Sequence, residues 1–125
     1  MNINVITQET LQLSDFESDE LNVELKSEAL YFGAISMFVA SLGRCTYAVL
    51  NSYAMRLDLP LDNITMQLTW EYSQQPTRIS KINMQIRWPE LPEKRLKSVE
   101  RAAHLCTIHQ TIHNCVDIHT QLATS

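Results

Sequence analysis

The sequence has no uncharged run long enough to cross a bilayer. Its longest, Ala29 to Gly43, is 15 residues, short of the roughly 20 that a membrane-spanning helix needs, and Arg44, Asn51 and Ser52 follow it. Positive charge is also scarce. Ten Lys and Arg stand against 14 Asp and Glu, a net charge of -4, which argues against a nucleic-acid partner, since such proteins normally carry a basic patch. Residues 1–33 hold seven acids and one basic residue, Lys26, and residues 1–43 contain no arginine. The N-terminal MNINVITQETLQ has neither a basic n-region nor a long apolar run, so no secretory signal is expected and the cytoplasm is the default location. Cysteines number three; in a reducing compartment an odd count reads as thiols with possible chemistry, not as staples. There are no repeats, no low-complexity segment and no nucleophile-elbow motif of the kind hydrolases use. What remains is a chain of 125 residues, 45% of them apolar, expected to form a single globular domain over residues 1–125.

The stretch Ala29 to Leu57 organises that domain. From Ala29 to Met55 it carries one charge, Arg44. At helical spacing Ile35, Phe38, Leu42, Val49 and Tyr53 share one face, with Cys45 between Leu42 and Val49. The opposite side, with Ala40, Tyr47 and Met55, is hardly more polar. A helix that is apolar nearly all round belongs in a core, so a long buried central helix is expected, with a thiol at its centre.

Around it, Asn2–Ile6 and Leu21–Leu25 alternate as strands, with Ser14–Glu20 a polar turn between them. Pro60 stops the helix from continuing. Ile64, Met66, Leu68 and Trp70 fall on one face of a strand whose antiparallel partner holds Ile79, Ile82, Met84, Ile86 and Trp88. An irregularity near Ser80–Lys81 interrupts the pattern, and Gln74–Thr77 supplies the turn. Trp70 and Trp88 are expected to pack across this hairpin or into a dimer contact. Pro92 suits a helix start; Leu96, Val99, Ala103 and Cys106 then mark the buried face of a second helix. Thr107 can cap a further turn, Ile108 to His113, and Cys115–Leu122 alternates as a last strand. The order implies an α+β fold with helices packed on an antiparallel sheet.

Two segments carry a family resemblance. Phe38-Val-Ala-Ser-Leu-Gly-Arg-Cys45 resembles the central-helix motif of the OsmC/Ohr family (osmotically inducible protein C and organic hydroperoxide resistance protein), small thiol-dependent peroxidases. Ala102-Ala-His-Leu-Cys-Thr-Ile-His109 resembles the second cysteine block of that family, with Thr107 in place of the usual proline and His109 on the motif histidine. The resemblance implies an OsmC-like α+β fold, an intertwined homodimer, and sites at the dimer interface. It also implies an activity, the reduction of organic hydroperoxides in oxidative-stress defence. Cys45 would attack the peroxide, Cys106 would resolve the sulfenic acid as a disulfide, and an external thiol would reduce that disulfide. No cofactor and no metal are implied.

The chain departs from the family pattern at the groups that activate the thiol. Family peroxidases use an arginine from the N-terminal strand region and a glutamate near the start of the central helix. Here residues 1–43 lack arginine, and the expected glutamate position falls at Ile35 and Ser36. An attacking thiol must ionise near neutral pH, whereas a free one has a pKa of about 8.5. Arg44 adjoins Cys45 but projects 100° away round the helix. The departure keeps a second reading open: a non-enzymatic or catalytically weak relative that binds a small apolar molecule or senses redox state. Cys115, without a motif partner, reads as structural. His104, Cys106, His109 and His113 have spacing that could suit a metal, but Cys106 already faces the core and no carboxylate lies nearby in sequence, so no metal is expected.

Overall fold

Alternation builds the sheet. Ile3 and Val5, Leu11 and Leu13, Met66, Leu68 and Trp70, and Ile82, Met84 and Ile86 are all buried, and each set occupies every second position of its strand. In the computed structural model, which describes all 125 residues, these strands are β1 (Asn2–Thr7), β2 (Thr10–Ser14), β4 (Thr65–Ser73) and β5 (Arg78–Arg87), with β3 (Asn22–Leu25) and β6 (Asp117–Ala123) at the edges. The sheet order is β3-β1-β2-β4-β5-β6. Cross-strand register aligns Ile3, Leu13, Met66, Ile86 and Leu122 in one inward row, and Val5, Leu11, Leu68 and Met84 in the next. The other face carries Asn4, Gln12, Gln67, Gln85 and Gln121 in a matching row. The helices are α1 (Ala34–Leu57), α2 (Leu96–Ala103), preceded by a 3-10 turn at Glu93–Arg95, and α3 (Thr107–Ile112). No helix is long and apolar enough to cross a membrane.

The α+β architecture is the expected one, and the hairpin is close to its sequence reading. Glu71 pairs with Lys81 and Tyr72 with Ile79, so Ser80 is the extra residue of a bulge, which is the irregularity seen in the alternation. Trp70 and Trp88 are both buried; Trp70 Nε1 donates to the Tyr72 hydroxyl on the same strand and Trp88 Nε1 to the Pro60 carbonyl.

Three details differ. The sheet is mixed, not purely antiparallel. β6 runs parallel to β5 because the connection between them crosses over through α2 and α3, and β3 runs parallel to β1 because the chain reverses twice between them. β2 was not anticipated, and the supposed polar turn after it buries Phe16, whose ring stacks on Tyr47 at 4.5 Å between centroids. Finally, α1 starts at Ala34, not Ala29. The Ser36 hydroxyl accepts from Gly33 N at 2.8 Å and donates to Gly33 O at 3.0 Å, closing the N-terminus there. The Gln8 side chain holds both backbone groups of Tyr31, keeping the residues before Gly33 out of the helix.

The burial of α1 is one-sided. Ser36, Val39, Ala40, Leu42, Gly43, Thr46, Tyr47, Leu50 and Ala54 form the stripe that meets the rest of the chain. Gly43 is where the helix comes closest to the sheet: a Cβ there would lie 2.5 Å from Leu13 Cδ1 and 3.2 Å from Leu68 Cδ1, so only glycine allows this approach without displacing buried side chains. Ile35, Met37, Phe38 and Met55 are exposed. One sheet and two short helices cover about half of the apolar circumference that suggested full burial.

Candidate functional site

Cys45 lies on the side of α1 that α2 and α3 approach, and it is half-buried. Cys106 is fully buried. It does not sit on the helix that its spacing suggested. α2 ends at Ala103, and Cys106 is the N-cap of α3, its Sγ accepting from His109 N at 3.5 Å. The expected cap, Thr107, is instead the first residue of that helix. Extended backbone at Cys106 (ψ 132°) turns the chain so that the first amides of α3 face α1.

The two expected site residues therefore meet. The Cys106 thiol and the backbone N–H groups of Thr107 and Ile108 all lie close enough to Cys45 to act on its ionisation. Both cysteines are free thiols. Burial pushes the Cys45 thiol up, but the Cys106 thiol, the two amides and the Arg44 charge together hold it below the ordinary cysteine value. Cys106 moves the opposite way. Burial and the neighbouring Cys45 thiol raise it, against smaller lowering influences from the His109 amide and the Thr46 hydroxyl. Such a pair is a polarised dithiol: one sulfur is readier to be the thiolate and the other is held as its proton donor.

Sequence reasoning looked for a cation and missed the amides. Arg44 does lower Cys45, but it is the smallest of the influences, and its guanidinium lies over the Tyr47 ring at 5.2 Å. The signal that could have found the amides was the anticipated short helix immediately after Cys106, because the first N–H groups of a helix lack intrahelical partners and point outward. On the sheet side of α1, the Tyr47 hydroxyl donates to Glu17; burial and that carboxylate push the phenol well above its usual value.

The histidines form a stack and not a ligand set. His104 and His109 lie 4.7 Å apart, His109 and His113 6.2 Å, and no three His, Cys, Asp or Glu side chains converge where they could hold a metal ion. His109 is buried, and burial followed by its two histidine neighbours pushes its pKa down. Cys115 is exposed, not packed; its backbone carbonyl accepts from Arg78 Nη1 at 2.8 Å.

A family model described as "OsmC-like protein" matches residues 26–121. Among solved structures, an OsmC-like protein from Mycoplasma pneumoniae superposes with a TM-score of 0.67 at 17% identity, over 95% of this chain and 98% of that one. A Psychrobacter arcticus protein described as an osmotic stress induced and detoxification response protein gives 0.65 at 23% identity, over 78% and 69%. An organic hydroperoxide resistance protein OsmC from Legionella pneumophila gives 0.64 at 15% identity, over 78% and 72%. No curated protein matches the chain significantly.

Proposed function

The chain belongs to the OsmC family, whose model covers 26–121, and on that premise we propose that it is a thiol-dependent peroxidase reducing organic hydroperoxides in oxidative-stress defence. The observation that supports this reading is the pairing of Cys45 and Cys106, each acting on the other's ionisation and shifted in opposite directions. The Cys45 thiolate attacks the terminal oxygen of ROOH, the O–O bond breaks, and the alkoxide leaves as ROH after taking a proton. Cys45 becomes a sulfenic acid. The Cys106 sulfur then attacks Cys45 Sγ, the S–O bond breaks, and the hydroxyl leaves as water with the Cys106 proton. An external thiol reduces the disulfide by two exchanges. The reaction calls for no metal, no cofactor, no nucleic acid and no membrane, and we place it in the cytoplasm.

A thiol-coupled assay with cumene hydroperoxide and hydrogen peroxide tests the reading. Turnover is expected to be slow relative to family members that carry the N-terminal arginine, and Cys45→Ser should reduce it to the uncatalysed background. An unreactive Cys45 and no turnover would favour the second reading, a non-enzymatic binder or redox sensor. The observation on that side is the lack of any arginine before Arg44.

We further propose a homodimer. Tyr31 just before α1 and Ile35, Met37 and Phe38 in its first turns are exposed, and Leu21, Val23 and Leu25 are exposed at and beside the edge strand β3. Apolar area of this extent normally marks a partner surface. Sedimentation at micromolar concentration should give twice the 14.4 kDa chain mass; a stable monomer would contradict it.

A further inference from the structure

α3 is six residues long, too short to persist as a helix in water without packing, and a single one of its side chains, His109, is fully buried. A leucine there would anchor the helix at any pH. A histidine anchors it while the ring is neutral, because burying a charge without a partner is costly. His109 is 6% exposed, and its Nδ1 is shut off from water with no hydrogen-bond partner. The neutral ring tolerates this by keeping its proton on Nε2. The protonated ring has a donor at both nitrogens and would bury one with nothing to accept it.

The neighbours add to that cost. His104 closes the end of α2 and His113 the end of α3, and their rings lie 4.7 Å and 6.2 Å from His109. Three imidazoles this close pack well when neutral, and positive charge on more than one of them repels. No carboxylate offsets it: the histidine that has an acidic partner is His119, held by Asp117 on β6. α1, the element packed on α3, brings Cys45 and Arg44, whose guanidinium lies over the Tyr47 ring. α2 brings Arg101 and Glu100, whose carboxylate accepts from Leu122 N. Cys106 and Cys115 flank α3 in the chain.

We propose that the His104, His109 and His113 stack is a proton-sensitive clasp on the second thiol, holding α3 closed while its rings are neutral and releasing it in acid. Cys106 is the N-cap of α3 and its Sγ accepts from His109 N at 3.5 Å, so an opening of α3 takes away that bond and the cover of the sulfur together. The clasp governs access to Cys106 whether the thiol pair is catalytic or senses redox state. Its direction follows from proton counting. The closed form excludes a proton that the open form accepts, so closure is undiminished above the ordinary histidine pKa of about 6.5. Below that it weakens by up to about tenfold per pH unit for the one ring kept neutral. Burial and the two neighbouring histidines, which hold His109 below its usual value, act in the same sense.

Hydrogen exchange of the reduced protein from about pH 7.5 to 5.0, a range that spans the ordinary histidine pKa, tests the clasp. The amides followed are those of Gln110 and His113, bonded to the Cys106 and His109 carbonyls at 3.0 Å, each scaled to its intrinsic rate at the same pH. Their protection should fall roughly tenfold across the range while that of α1 amides holds, since opening of α3 alone takes up the proton. Labelling of Cys106 by 4,4′-dithiodipyridine, read by mass spectrometry and scaled to unfolded protein at the same pH, should rise in step. His109→Phe keeps a flat ring that does not titrate and should make both readouts independent of pH; His109→Leu serves where phenylalanine does not fold. Protection of α3 that stays level in wild type overturns the proposal. So does a fall shared equally by α1, or one as steep in the His109 variants as in wild type. Neither readout involves a peroxide, so a protein without peroxidase turnover that shows the wild-type response retains the clasp and loses the peroxidase reading.

Discussion

Cys106→Ala is expected to slow alkylation of Cys45 at neutral pH by roughly tenfold, the lower end of the worth of a hydrogen bond to a charged acceptor, and to move its midpoint to higher pH. Burial alone raises the Cys45 pKa, and the Cys106 thiol is the largest of the groups that offset it. Removing that donor leaves the Thr107 and Ile108 amides and the Arg44 charge, so the thiolate is stabilised less and a smaller fraction of it exists at neutral pH. Cys106→Ser retains a donor and should lie between wild type and the alanine variant. With a stoichiometric hydroperoxide, both variants should stop at the sulfenic acid, because no second sulfur is present to close the disulfide. Mass spectrometry of the Cys45 peptide reads both effects without interference from exposed Cys115. An unchanged or lower midpoint in Cys106→Ala would mean that the polarisation has another source.

Legibility in the sequence followed what each pattern encodes. Alternation encodes which face of a strand is buried, so β4, β5 and the bulge at Ser80 could be read, and so could β1. It does not encode direction or neighbours, so β3 and β6 could be read as strands but not as parallel edges. β2 escaped because only Leu11 and Leu13 mark it, too few to stand out as a period. For α1 the difficulty was excess: with apolar residues all round, the pattern could not choose a side. The side was chosen by small residues, since Ser36, Ala40 and Gly43 let the helix axis approach the sheet while the larger Ile35 and Phe38 stay outside. The site was half legible. Both thiols were visible as side chains at suggestive positions, and their contact followed from the fold. The activating amides of Thr107 and Ile108 are backbone groups, present at every residue and marked only by where a helix begins.

Oxidation of the pair should raise the melting temperature by on the order of 10–15 °C, a large shift for a chain of this size. Cys45 and Cys106 are 61 residues apart, and closing a loop of that length removes enough entropy from the unfolded chain to be worth about 4 kcal/mol. Against this, the disulfide ends the thiol–thiol hydrogen bond and leaves the Thr107 and Ile108 amides facing a neutral sulfur instead of one with thiolate character. Those losses are about 1–2 kcal/mol together, since each exchanges one donor's partner in a half-buried setting. The loop-closure effect is the larger, so the oxidised form should be the more stable. The comparison requires a fixed protein concentration, because a dimer's melting temperature depends on it. Oxidised and reduced samples of Cys106→Ala should melt together, which assigns the shift to this pair and not to Cys115. Equal melting temperatures in wild type, or a lower one on oxidation, would show that bonding the two sulfurs forces α3 away from α1 at a cost that cancels the entropic gain. A second thiol so placed could still report redox state, but it could not be a resolving thiol that closes without distorting the fold.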